Sequence, residues 1–147
     1  WLGVRDSGSS YCGGAHPNNY SGLAVYDRDS GAEVDPAAWF KPGALAFYDW
    51  ESETEPKSAK RPIAGLSESL GKAVLAHWPA REDGDDCGIA DGFGGSSWQI
   101  GLTREGPVFV PQLPYVIFAC TEEVVIPWHK ARPFLSAEGR AVEASLR

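Results

Sequence analysis

The stretch WQIGLTREGPVFV, residues 98–110, constrains the fold more than any other. Trp98, Ile100 and Leu102 alternate with Gln99 and Gly101, the period of a strand with one buried face. TREG at 103–106 is turn chemistry, and Val108 to Val110 make a return run that Pro111 is expected to stop. Any fold for this chain must therefore hold an antiparallel hairpin.

The other elements follow by weaker signals. Residues 2–5 read as the end of a strand and 6–10 as a polar loop. Residues 23–26 read as a strand entering the reversal DRDSG at 27–31. Asp35 is placed to cap a short helix opening on Pro36, with Trp39 and Phe40 on its buried side. Residues 45–50 fit either a short strand or a core-packed loop, and the charged run 51–61 an exposed loop. Ile63, Leu66, Leu70, Val74 and Trp78 recur at helical spacing, which predicts one long helix over 62–78, ended by Pro79. Residues 80–97 are rich in Gly and Asp and read as a long loop. Beyond an apolar run at 115–120 come a short strand at 124–126, a short helix or turn at 127–135 and an amphipathic helix at 137–146. The class is α+β, mainly antiparallel sheet with one long helix and short ones, in a single unit spanning 1–147.

Composition narrows the function. The net charge is −7, which argues against nucleic acid, since phosphates need a basic surface. It suits solubility or attraction to a cationic partner. No apolar run reaches the roughly 18 residues of a membrane helix. The start at Trp1 reads as a mature chain or an excised domain. Three cysteines, no Met and many aromatics suggest a secreted β-rich domain. In an oxidising compartment the expected count is one disulfide and one odd thiol. Of three connectivities, Cys87–Cys120 is preferred, because Cys12 sits in a glycine turn with its own backbone demands.

The motif YCGGAHPNNY at 11–20 carries the sharpest functional question. Cys12 and His16 suggest a nucleophile beside its base, with Gly13 and Gly14 offering oxyanion donors. No third orienting residue is evident, and a structural glycine turn with a hydrogen-bonded His16 is the plainer reading. Zinc would need Cys12, His16, Cys87 and His77 or His129 to converge, so no metal and no cofactor is expected. The run DGDDCGIADGFGG at 83–95 has the composition of a calcium loop, with Asp83, Asp85, Asp86 and Asp91 as oxygen donors. Its spacing does not match an EF-hand, and an ordinary solvated loop is the simpler reading. The acids Glu51, Glu53, Glu55, Glu122 and Glu123 do not form a glycosidase pair, and GFGG lacks the lysine of a phosphate loop.

The order of these pieces resembles a bacterial extracytoplasmic domain. It forms the C-terminal part of the lysozyme-sensing anti-sigma factor RsiV and accompanies some peptidoglycan deacetylases. Tyr11, Gly13, Gly14, Ala15, His16 and Asn18 match its first block, and Asp27, Gly31 and Phe40 match the turn and short helix. Leu102, Thr103, Gly106, Pro114, Tyr115, Val125, Ile126 and Pro127 match its end. Cys12 departs from the family, where a small polar residue is usual, and ACTEE at 119–123 replaces a usual glycine. The family's first strand is cut short at Trp1, which implies a missing strand or upstream domain.

The resemblance implies an α+β fold like a subdomain of the Hsp70-type ATPase, without nucleotide chemistry, in a periplasmic, secreted or other extracytoplasmic location. It implies a non-enzymatic binding or sensing domain, with lysozyme, another cationic protein or peptidoglycan as partner. Tyr11, Gly13, Gly14 and Ala15 are then the structural motif; His16 and Asn18, with Asp85, Asp86 and Phe93 of the long loop, are the candidate binding residues. Two alternatives remain: a hydrolase or transferase using Cys12 and His16, and a structural accessory domain of an envelope protein.

Overall fold

The computed structural model describes residues 1–14, 17–48, 63–79 and 97–146, apart from the side chains of 115 and 116. Among these residues two antiparallel sheets carry the architecture, with short helices around them. The first joins β1 (Leu2–Ser10), β2 (Asn18–Tyr26) and the two-residue β3 (Glu33–Val34) in that order. The second runs β4 (Leu45–Phe47), β5 (Ile63–Leu66), β6 (Ser97–Leu102), β7 (Pro107–Gln112) and β8 (Val124–Val125).

The hairpin at 98–110 forms, with Trp98 opposite Pro111 and Leu102 opposite Pro107. Thr103 closes its turn: the backbone N–H and Oγ1 both donate to the Gly106 carbonyl, at 3.0 and 2.8 Å. Pro111 does not stop β7 but lies within it. β8 pairs only with Val108 and Phe109, so beyond them β7 is paired on one side, where a missing N–H is tolerated.

The first strand is longer than its sequence suggests. Residues 6–10, polar enough to read as loop, continue β1 and pair with β2 from Asp6–Gly22 to Ser10–Asn18. The strand is imposed by its partner rather than by propensity. The predicted long helix is corrected in the same way. Residues 63–66 are β5, whose backbone is engaged with β4 through Leu45–Leu66 and Ala46–Gly65. The helix α1 therefore covers only Glu68–Leu75. Ser67 caps it, accepting from the Leu70 N–H at 3.3 Å, while Leu70 and Val74 supply its buried face.

Asp35 caps the 3-10 turn Pro36–Trp39 through the Ala37 N–H at 3.0 Å. Trp39 is fully buried, and Phe40 meets Phe109 edge-on at 5.6 Å. The C-terminal part closes over this turn. It comprises α2 (Trp128–Ala131), a 3-10 turn (Arg132–Phe134) and α3 (Ala137–Ser145). Backbone bonds from Lys41 to Phe134 and from Ser136 to Trp39, both 2.8 Å, stitch the two segments together. Gly139 lies so close under the Trp39 carbonyl that no side chain fits there. The core gathers Trp39, Phe40, Leu70, Trp98, Ile100, Phe109, Ile126 and Leu135. Each such side chain contributes about 1.5–3 kcal/mol on burial.

Candidate functional site

The motif at 11–20 sits at the far end of the β1–β2 ribbon. Gly13 and Gly14 have φ of 86° and 132°, the region that favours glycine, and nothing crowds either position. Their glycine requirement is therefore one of backbone direction, not of close approach. Tyr11, 67% exposed, closes the turn by donating its hydroxyl to the Gly14 carbonyl at 2.8 Å. Cys12 is exposed and free. Asn18 opens β2, exposed and opposite Ser10. Ala15 and His16 lie outside the described residues, so the geometry of a Cys12–His16 pair is not described.

Asp85, Asp86, Phe93 and Cys87 also lie outside the described residues. Cys120, at the end of the 3-10 stretch Tyr115–Cys120, is not a free side chain. Among the described residues no group of three or more His, Cys, Asp or Glu is arranged to hold a metal ion.

What the fold does settle is where the two long connections attach. Phe47 pairs with Ile63, Ile63 with Trp98, and Ser97 with Gln112. Ile63 and Ser97, the residues at which the segments 49–62 and 80–96 rejoin the sheet, are therefore neighbours on antiparallel strands. A cleft of about 380 Å³ opens there. Leu23, Pro36 and Ile63 give it apolar walls, Glu33 and Asp35 contribute carboxylates, and Gln112 an amide whose nitrogen is buried without a hydrogen-bond partner. The volume lies in the range of small-ligand sites or of a pocket for one inserted side chain.

Gln99 positions the ribbon beside this cleft. Its Oε1 accepts from the Leu23 N–H at 2.7 Å, and its Nε2 donates to the Ser21 carbonyl at 3.1 Å. The side-chain amide thus does for β2 what a neighbouring strand would do. Alternation marks Gln99 as the polar position of a half-buried strand, but nothing in the sequence says that it faces a second sheet. Asn18 is five residues from Leu23, about 17 Å of extended strand, so the ribbon tip and the cleft are separate places.

Among the described residues one carboxyl and one guanidinium have shifted acidity. Asp27 is held below its ordinary value of 3.8 by the Ser30 N–H and hydroxyl, and then by the Asp29 N–H. Arg132 is raised by its hydrogen bonds to the Glu143 carboxylate and by that group's charge. Both are structural. Compared with family models, with curated proteins and with solved structures, the chain has no match.

Proposed function

We propose that this is a non-enzymatic binding or sensing domain of the bacterial envelope, taking a cationic protein as partner, with a c-type lysozyme the first candidate. The observation that carries the reading is the cleft walled in part by Ile63 and Ser97, where 49–62 and 80–96 rejoin the sheet, with two carboxylates in its walls, in a chain of net charge −7. Long connections rooted on a rigid sheet are common places for recognition. The charge steers a basic partner through the association rate, while affinity comes from a side chain seated in the cleft.

The resemblance to the RsiV C-terminal domain supports the same reading. With it come the Hsp70-subdomain-like arrangement, the extracytoplasmic location, the Cys87–Cys120 disulfide and the binding roles of His16, Asn18, Asp85, Asp86 and Phe93, all as parts of this proposal. Titration calorimetry with a c-type lysozyme at two salt concentrations, with a lysis assay in parallel, tests it. Binding that weakens with salt and suppresses lysis is the expected result. Absence of binding at high micromolar concentration overturns the partner, and salt-independent binding overturns the steering.

The enzymatic alternative has one observation in its favour, the exposed free thiol of Cys12. It requires fast iodoacetamide labelling of the folded domain at neutral pH.

A further inference from the structure

The inner face of the β1–β2 ribbon changes character along its length. Near Trp1 it packs: Val25 is buried, Leu23 lies over Gly101, and Arg5 pairs with Glu123. Toward the tip the same face carries the cross-strand pairs Ser7–Ser21 and Ser9–Asn19. Among the described residues none of these four side chains has a hydrogen-bond partner. Across from them stand Phe118 and Thr121, and between the two walls runs a groove of about 460 Å³. The Thr121 hydroxyl is sealed from solvent and also lacks a partner, a situation native proteins seldom leave unused.

A face built only for packing would continue the apolar pattern of Leu23 and Val25. The four side chains here neither pack nor pair; they line a concave space. Hydroxyls and an amide both donate and accept, and they stand beside an aromatic ring. The ion pair at the groove, Arg5–Glu123, neutralises itself. Thr121 is only half-buried as a residue, and rotation about χ1 exchanges its hydroxyl with its methyl group. This is the chemistry of a neutral ligand with many hydroxyl or amide groups and an apolar ring face.

We infer that this groove binds a neutral oligosaccharide, with Asn19, Ser7, Ser9, Ser21 and Thr121 hydrogen-bonding its hydroxyls and Phe118 covering a ring face. The groove shares no lining residue with the cleft, so this inference stands apart from the cationic-partner reading.

The test is a backbone-amide NMR titration of the whole chain with triacetylchitotriose and, separately, maltotriose. Saturable shifts confined to residues 7–9, 19–21 and 118–121 are expected with at least one of them. Asn19→Ala and the exposed Ser7→Ala should each weaken binding several-fold, and Phe118→Ala about tenfold or more, with the rest of the spectrum unchanged. Lysozyme binding by these variants should stay as in the parent. Absence of saturable shifts with both sugars up to about 10 mM overturns the site. Saturation that the three folded variants leave unaltered overturns it equally.

Discussion

The Gln99 side-chain amide ties one sheet to the other. Gln99 engages both an N–H and a C=O of β2, and replacing it leaves two half-buried backbone groups unpaired. Gln99→Ala should cost about 1–3 kcal/mol in denaturant unfolding. Gln99→Glu should fare little better at neutral pH, since a carboxylate cannot donate to Ser21. Gly106 is the second sensitive residue. Its α-carbon faces the Ile126 carbonyl with no room for a methyl group, so Gly106→Ala should lose at least about 3 kcal/mol or fail to fold. Asp27 gives a pH signature. Its folded value is lowered, so its contribution to stability is complete above about 3.8 and is lost as pH falls through the lower, folded value. A carboxyl NMR titration should place Asp27 below the ordinary value of 3.8. None of these dependences is visible in the residue types alone. Gln99, Gly106 and Asp27 matter because of backbone groups that the fold brings to them.

Elements were legible where the pattern was local. The hairpin over 98–110, the Asp35–Pro36 start and the C-terminal helix all announce themselves through alternation, turn residues or caps. The long helix over 62–78 was misread because Ile63 and Leu66 satisfy a helical period while serving a strand. The contrary signal was Ser67, a cap in the middle of the predicted helix. β1 was half missed because serine and glycine carry no strand preference, and its pairing is supplied by β2. At this scale the ion pair of Arg132 with buried Glu143 makes its own prediction. Glu143 is 4% exposed and takes both Nε and Nη2 of Arg132. Arg132→Ala should lower the melting temperature and release amide protection in α3 first. Arg132→Lys should restore little, because an ammonium cannot reproduce the two-pronged contact.

At the scale of the molecule, charge was readable from composition, but the places where it could act were not. The cleft depends on Leu23, Asp35, Ile63, Ser97 and Gln112 coming together from both sheets, residues far apart along the chain. The groove depends on a polar half-strand that looked like loop. One further feature of the whole concerns its two ends. The Trp1 indole donates to the Ser145 hydroxyl at 2.8 Å and meets Trp39 edge-on at 5.8 Å. Entrance and exit of the polypeptide are thus side by side. Such a unit can be spliced into the loop of a host protein as a cassette, its halves held by their own contacts rather than by the host. A circular permutant, with a short linker joining the old ends and new ends cut between Gly13 and Gly14, should therefore keep the parent's circular-dichroism spectrum. Loss of that spectrum would mean that the tip turn, not the meeting of the ends, organises the ribbon.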